Sequence, residues 1–368
     1  MTAKRCPANE KIKRCYLQFL KDAKGRDEAS IDTVAKAIER YDEYHRRKDW
    51  RKFNVEQPRA FKAHLSEQTS VRTGLPLSAS TIVSTLGALK AFFLWLADQP
   101  DYRTRVRYSD AEYFNPPDNL ARTATARRHR PIATLAQIRQ VLKAMPVGTD
   151  IEKRDRALLA FTILTGARDR AIVSFKLKHI DIERALLQQD ARQVRTKRAK
   201  TFTTWFFPVG ADIRAYVVDW VKLLRDQHGF GPEDPLFPKA AVEPGPDLYF
   251  APSGLMREHW ANADPVRQIF RRAFNNVGLP YFNPHSFRNT LVQLAFEMRL
   301  DAEKFKAWSQ NLGHEECLTT FSSYGTIQPS RQAEIIKNLT VAPPSHAVPA
   351  EISPDLLRRL ADDLERRR

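Results

Sequence analysis

The chain has 368 residues, of which 42% are hydrophobic, and it carries a formal net charge of +17. This length and hydrophobic content suffice for two domains with cores of their own, and the excess of Lys and Arg favours a polyanionic partner: nucleic acid first, an anionic membrane surface second. The three cysteines lack disulfide or zinc-site spacing, so neither a disulfide framework nor a zinc centre is suggested, and the lack of a phosphate-binding glycine loop argues against ATP-driven chemistry.

The first third of the chain predicts helices. Residues 9–24 place apolar side chains at helical spacing, a second helix begins after Ser30, and residues 80–98 show the strongest pattern of this part. Residues 1–114 therefore predict a compact helical bundle with basic edges. Lys90, on the exposed side of the third helix, is a candidate DNA contact, although basic helix faces are more often simply solvated.

Residues 115–130 predict a basic, extended linker between two domains. The segment opens with Asn-Pro-Pro-Asp, which interrupts the helical pattern, and continues without an apolar period. Its arginines could follow a phosphate backbone or could serve solubility alone; the candidates for DNA contact are Arg127, Arg128 and Arg130.

A second domain begins with a helix at Thr134. The next helix opens with a capping box formed by Thr149 and Glu152, is densely apolar, and ends at Gly166. Arg168 stands two residues after this glycine, so a buried helix should hold the arginine rigidly. Taken alone, an arginine after a glycine is a weak signal.

Short strands are predicted after this helix, because three segments are rich in branched and aromatic residues: 179–182, 186–195 and 203–209. The turn between the second and third strands carries Lys197 and Lys200. Lysines on a hairpin turn are ordinarily surface residues. Residues 230–262, rich in Pro and Gly, predict a loop region.

A helix capped by Asn283, with Pro284 at its first position, is predicted next. His285 and Arg288 then lie on one face of this helix and point to a site. The opposite face carries an apolar stripe for a core: Phe287, Leu291, Leu294 and Met298.

A following helix is predicted to open at Asp301 and to end at Gly313, which leaves His314 at its end. Tyr324 comes ten residues later. Guanidinium groups offer planar donors to phosphate oxygens, imidazoles move protons near neutral pH, and a phenol can be a covalent nucleophile. This set suits the handling of a phosphate diester.

The order H-x-x-R, L-G-H and a tyrosine ten residues on resembles the C-terminal half of the tyrosine recombinases, or phage integrases. The stretch TGAR at 165–168 resembles the first arginine box of that family, T-G-x-R. The competing interpretation is that His285 and His314 are structural histidines and that Tyr324 merely packs.

The resemblance implies a mainly α fold with a small antiparallel β-sheet, in two domains. A helical core-binding domain over 1–114 would be joined by the linker over 115–130 to an α+β catalytic domain over 131–340. Residues 341–368 would form a proline-rich tether and a C-terminal helix.

The resemblance also implies catalytic roles. Arg168 and Arg288 would clamp the scissile phosphate, and His285 and His314 would assist proton movement and hydrogen bonding. No metal or other cofactor would be needed, because the arginines supply the positive charge.

Tyr324 would attack phosphorus to form a 3′-phosphotyrosyl link. A lysine on the β-hairpin would protonate the departing 5′ oxygen, and Lys197 matches that place best, with Lys200 as the alternative. The family usually has an acidic residue three positions after the first arginine, where this chain has Ala171. Asp169 is the nearest carboxylate, and whether it substitutes is open.

The implied function is a site-specific DNA recombinase or integrase acting on double-stranded DNA as a homotetramer, with the C-terminal helix docked on its own domain or on a neighbouring subunit. Alternatives are a tyrosine transposase, a type IB topoisomerase-like enzyme and a catalytically inactive DNA-binding relative. We expect a cytoplasmic, nucleoid-associated protein without a membrane partner, because the sequence has no run of about eighteen apolar residues and no apolar signal-peptide segment.

Overall fold

The computed structural model describes residues 5–70, 73–126, 131–244, 250–298 and 300–314. The chain divides into two compact units, Met1–Arg128 and His129–Arg368. Helices dominate both units, and small antiparallel sheets occur in the second. The expected fold class, mainly α with a small antiparallel sheet, is confirmed.

Five α-helices make up the described part of the first unit: α1 Pro7–Asp22, α2 Glu28–Tyr44, α3 Glu56–Glu67, α4 Ala79–Leu96 and α5 Asp118–Thr125. The helices predicted near residues 9–24, after Ser30 and over 80–98 correspond to α1, α2 and α4. Helix α3 was not predicted; its buried side chains Phe61 and Leu65 stand four residues apart on one helical face.

The centre of this unit is α4, which is long and apolar enough to cross a membrane by length and composition, with a mean hydropathy of 1.5. Core helices pass the same test. Leu86, Leu89 and Phe93 on α4 are fully buried among side chains of the same unit. Phe93 meets Tyr41 of α2 edge to face at a centroid distance of 5.5 Å.

The segment predicted as an extended linker, 115–130, is helical over Asp118–Thr125, where α5 forms and packs on α4. The helix has a single large apolar residue, Leu120, against the core. One such residue produces no apolar period, which is why the sequence pattern indicated a linker. All three candidate DNA contacts proposed for this segment lie outside the described residues: Arg127, Arg128 and Arg130.

The described part of the second unit contains these α-helices: α6 Leu135–Ala144, α7 Asp150–Thr165, α8 Asp169–Ile172, α9 Ala211–Lys222, α10 Asp264–Asn275, α11 Pro284–Glu297 and α12 Ala302–Asn311. The core is built around α7, along which eleven residues are buried. The predicted capping box is present: the backbone N–H of Glu152 donates to Oγ1 of Thr149 at 3.2 Å, and that of Thr149 donates to Glu152 at 2.9 Å.

Two small antiparallel sheets accompany these helices. The first has the order β1 Ile180–Asp181, β2 Leu186–Gln189, β3 Phe202–Trp205, and the second pairs β4 Ala240–Pro244 with β5 Phe250–Leu255. The second pair lies inside the segment predicted as a loop, so that expectation was wrong. Pro244, Pro252 and Gly254 hid the hairpin, because proline and glycine weaken a strand signal although a two-stranded edge tolerates them.

Candidate active site

The first arginine of the site follows the end of α7. Gly166 ends the helix with φ +61°, and a Cβ there would come within 2.9 Å of a methyl carbon of Leu312. The glycine is therefore needed for its left-handed backbone and for close packing. Arg168 is half-buried, which lowers its pKa. Its guanidinium makes no hydrogen bond or ion pair with another residue in the described ranges.

The second arginine, Arg288, is almost completely enclosed, with 4% of its surface exposed. Its guanidinium donates to the carbonyl oxygens of Gly166 and Leu312 and to Nε2 of His314, the last two at 2.6 and 2.9 Å. Burial, with the nearby Arg168 cation, lowers its pKa to about 9, so Arg288 stays cationic at neutral pH. Among the described residues, none of its partners is a carboxylate.

The start of α11 fixes this arginine. The side chain of Asn283 accepts a 3.0 Å hydrogen bond from the backbone N–H of Ser286, and Pro284 occupies the first turn, as predicted. His285, in the same turn, keeps its side chain exposed at the surface. Desolvation by surrounding protein, together with the Arg288 and Arg168 cations, lowers the pKa of His285.

The protonation of His314 follows from its hydrogen bond. Because a guanidinium can only donate, Nε2 of His314 must accept from Arg288, which places the ring proton on Nδ1. Burial and then the Arg288 cation lower the pKa of His314 to about 4. The imidazole is therefore neutral at pH 7.

The L-G-H sequence has a packing explanation. Gly313 has φ +71°, and a Cβ at this position would lie 2.6 Å from the ring of Phe202 on β3. Leu312 is buried, and its carbonyl receives Arg288. The segment after α12 thus holds the second arginine and presents His314.

At position 171, where the family usually has an acidic residue, this chain has alanine. Ala171 is buried in the core at 1% exposure. Asp169 does not pair with Arg168; it accepts from Arg267 of α10, at 2.9 Å from Nε and 2.8 Å from Nη2. Arg267, which also contacts Asp264, is a residue of this region that the sequence analysis did not identify as such.

Both candidate lysines lie in the β2–β3 connection. Lys197 begins a 3₁₀ turn, Lys197–Ala199, and is exposed, while Lys200 is partly exposed with Nζ 6.0 Å from the ring centroid of Phe202. Positive charge on Lys197 helps to lower the pKa of His285, and that on Lys200 helps to lower the pKa of His314. The turn therefore lies close to both histidines.

The structure does not address every candidate. Tyr324 and the segment 341–368 lie outside the described residues. Lys90, in the first unit, is within 2.9 Å of both Glu112 and Asn115. Five residues thus converge at or beside one site in the second unit: Arg168, Lys197, His285, Arg288 and His314.

Comparison with known families identifies the class of protein. The sequence pattern described as "Phage integrase family" matches residues 133–331, more than half of the chain. The chain belongs to the phage integrase family, that is, to the tyrosine recombinases.

Curated relatives include the tyrosine recombinase XerC of Escherichia coli (strain K12 / DH10B), which is 26% identical over 185 residues. The match covers 50% of this chain and 52% of XerC. XerC of Escherichia coli O139:H28 is likewise 26% identical, over 158 residues, 43% of this chain and 46% of the relative. The chain spans about half the length of these relatives.

Solved structures share the fold. A lambda integrase dimer bound to a COC′ core site superposes with a TM-score of 0.56 and 14% identity, over 87% of this chain and 97% of that one. The Tn1549 transposon integrase in complex with transposon right end DNA superposes with a TM-score of 0.56 and 14% identity, over 89% of this chain and 99% of that one. The two-domain fold of these integrases is therefore the fold of this chain.

Proposed function

We propose that this protein is a site-specific DNA recombinase or integrase that cleaves and rejoins double-stranded DNA through a 3′-phosphotyrosyl intermediate. The observation that carries the proposal is a pair of neighbouring guanidinium groups, Arg168 and Arg288, which make no ion pair with any carboxylate in the described part of the chain. Family membership points to the same chemistry.

The energetics of these arginines favour a phosphate. A buried cation without an anionic partner is costly, and hydrogen bonds to carbonyl oxygens offset only part of the cost. Arg288 is in that situation, and Arg168 adds a second positive charge nearby. A phosphate diester supplies the missing negative charge and two non-bridging oxygens for planar donors, and its transition state carries still more negative charge.

The reaction then follows from the remaining groups. The phenolic oxygen of Tyr324 attacks phosphorus, a Tyr–O–P bond forms, and the bond from phosphorus to the 5′ oxygen breaks. Lys197 gives a proton to that oxygen, with Lys200 as the alternative donor. The neutral rings of His285 and His314 hydrogen-bond the phosphate oxygens and carry protons. Resealing is the reverse reaction with another 5′ hydroxyl.

The partner proposed is double-stranded DNA, in agreement with the net charge of +17 and with the DNA-bound lambda and Tn1549 integrases. Exchange of strands between two duplexes requires four active sites, so we propose a homotetramer on DNA. The segment 341–368 would contribute a helix that docks on its own or a neighbouring subunit, and the protein would be cytoplasmic and associated with the nucleoid.

The test is a covalent trapping experiment. A duplex is first selected from a randomised pool on the purified chain and then prepared with single nicks at successive positions, so that cleavage beside a nick releases a short fragment and prevents resealing. We expect a covalent protein–DNA band on a denaturing gel in buffer with EDTA, and its loss in Tyr324→Phe.

Retained DNA binding without any covalent band would contradict the proposal and favour a catalytically inactive DNA-binding relative, for which Ala171 in place of the acidic residue is the one favourable observation. With a band present, joining of two duplexes identifies a recombinase. Relaxation of supercoiled plasmid alone would identify a type IB topoisomerase-like enzyme, and excision of an element with transfer to unrelated DNA a transposase.

A further inference from the structure

The side chain of Asn311, the last residue of α12, occupies the outer edge of the first sheet. Its Oδ1 accepts from the backbone N–H of Trp205 at 2.7 Å, and its Nδ2 donates to the carbonyl oxygen of Trp205 at 2.9 Å. Phe206 N–H donates toward the β2 side, so the backbone groups of Trp205 face away from β2. The amide of Asn311 thus satisfies both groups in place of another strand.

A second connection joins the backbone of Asn311 to the interior of the sheet. Oγ1 of Thr204 donates to the carbonyl oxygen of Asn311 at 3.1 Å, and Nε2 of Gln189 donates to Thr204 Oγ1 at 2.8 Å. Thr204 and Gln189 are buried, at 0% and 5% exposure. The chain of bonds therefore runs from α12 through β3 into β2.

The residues after Asn311 run beside β3 in the opposite direction. Asn311 lies at Trp205, the end of the strand, while Gly313 lies against Phe202, its beginning. The next residue is His314, close enough to the β2–β3 turn for Lys200 to lower its pKa. The position of the segment 311–313 along β3 therefore determines how far His314 lies from the turn that carries the lysines.

We propose that Asn311 is a positioning residue, whose hydrogen bonds to Trp205 hold His314 and the β2–β3 turn in one rigid frame. The hydrogen bonds of the side chain and carbonyl of Asn311 go to β3, and it acts on the site through Leu312, whose carbonyl receives Arg288, and through Gly313. The consequence for catalysis rests on the proposed function, whereas the consequence for the placement of His314 does not.

The variant Asn311→Ala removes both side-chain bonds and should leave the fold intact. Trp205 is 56% exposed, so water can reach the backbone groups that lose their partner. Gln310→Ala is the matched control, because Gln310 is the preceding residue of the same helix and its side chain is exposed. A melting temperature measured for each variant shows that it is folded.

The first arm follows the ring of His314 by NMR in the full chain without DNA, with labelled histidine and assignment by His314→Asn. Among the described residues, the charged or titratable groups that lower the pKa of His314 are Arg288, Arg168, His285 and Lys200. In the wild type the ring should titrate near pH 4, and in Asn311→Ala its pKa should rise by about one unit or more, because the ring moves toward water and away from the cations. An unchanged titration in Asn311→Ala, or an equal rise in Gln310→Ala, would overturn the proposal.

The second arm measures the rate of covalent adduct formation on the nicked duplexes. We expect Asn311→Ala to slow this step about tenfold or more while the dissociation constant for DNA changes less than about twofold, since a misplaced group acts on the transition state and not on binding. Equal losses of binding and rate would overturn the positioning role. If the wild type forms no Tyr324-dependent adduct, the proposed function fails, and the NMR arm alone decides the role of Asn311.

Discussion

Oδ2 of Asp169 lies 2.8 Å from Nη2 of Arg267, a residue 98 positions further along the chain. Asp169 is the carboxylate nearest to Arg168 in the sequence, and this ion pair directs it to α10. Within the described ranges no carboxylate pairs with Arg168, so its place shortly after Gly166 and its partial burial are what orient it there.

The variant Asp169→Asn should consequently have a mild effect. The pair is partly exposed, at 25% and 47% of the two side chains, and such surface ion pairs contribute about 0 to 1 kcal/mol. We expect a small decrease in melting temperature and an adduct rate within about threefold of wild type. Arg168→Ala, measured in parallel, should slow adduct formation about a hundredfold or more because it removes charge stabilisation from the transition state. A loss in Asp169→Asn as large as that in Arg168→Ala would show that the carboxylate acts on Arg168 after all.

The variant Arg288→Lys should lose both stability and activity. An ammonium group cannot reproduce the planar donors that reach Gly166, Leu312 and His314 together, and each buried acceptor left without a donor costs about 1 to 3 kcal/mol. The measurements are the melting temperature and the adduct rate. Arg271→Lys, on an exposed face of α10, serves as the control and should change neither. Retention of wild-type rate in Arg288→Lys would contradict the role of the planar guanidinium.

The packing of Gly313 can be separated from its backbone conformation. Gly278 has nearly the same φ, +72°, and a Cβ at that position would have nothing within 4 Å, whereas Gly313 at +71° faces Phe202. Gly278→Ala should cost about 1 kcal/mol of unfolding free energy from backbone strain alone. Gly313→Ala should cost more, because the ring of Phe202 must also shift, and it should slow adduct formation by displacing His314.

The double variant Gly313→Ala with Phe202→Ala tests whether the ring of Phe202 causes the greater destabilisation expected for Gly313→Ala. Removal of the ring should recover the part of the stability loss that exceeds the loss in Gly278→Ala, which a double-mutant cycle measures. Equal destabilisation by Gly278→Ala and Gly313→Ala would mean that the ring of Phe202 shifts without a loss of stability.

Acid should weaken the second unit through His314. Its pKa in the folded protein is about 4, below the value near 6.5 of an unfolded chain, so the unfolded state binds the proton more readily between these values. The stabilisation is complete above about pH 6.5 and is lost as the pH falls from there toward about 4. Unfolding measured across this range should show a smaller acid slope in His314→Asn. Burial also lowers the pKa of His45 to about 4, so the stability of the first unit should fall with acid in the same direction. The His314→Asn substitution should leave that contribution unchanged.

The two lysines can be distinguished by the leaving group. When sulfur replaces the bridging 5′ oxygen of the duplex, the leaving strand end departs as a thiolate. A thiolate needs no proton, so cleavage of this substrate does not require a general acid. Lys197 is exposed and makes no hydrogen bond to another residue in the described ranges, which leaves it free to reach the leaving oxygen, whereas Lys200 lies over Phe202.

We therefore expect Lys197→Ala to slow adduct formation about a hundredfold on the oxygen substrate and to approach wild-type rates on the sulfur substrate. Lys200→Ala should slow adduct formation on the oxygen substrate by less than about tenfold. The reverse ranking of the two variants would assign the proton donor to Lys200.

Local signals in the sequence were reliable where one helix end determines the structure. The capping box of Thr149, the Asn283 cap and the glycine end before His314 all depend on residues within four positions of one another. The sequence could not predict contacts between distant positions, such as Arg288 with the carbonyl of Gly166, 122 residues away, or Asn311 with Trp205, 106 residues away.

The missed features have the same origin. Arg267 and Asn311 carry no motif, and only the fold brings them to Asp169 and Trp205. The α5 helix was missed because Leu120 alone faces the core, and tertiary packing, not periodicity, stabilises it. Sequence patterns therefore indicate which residues perform the chemistry better than which residues hold them in place.

The pairing of Asn311 with Trp205 has a consequence for solubility as well. An outer strand with free N–H and C=O groups can recruit a strand from another molecule, and Trp205 would give such a contact an apolar anchor. The side-chain amide occupies those groups at Trp205 and so blocks one end of β3, the outer strand of the three described. Loss of Asn311 should then appear in concentrated solution as self-association through β3.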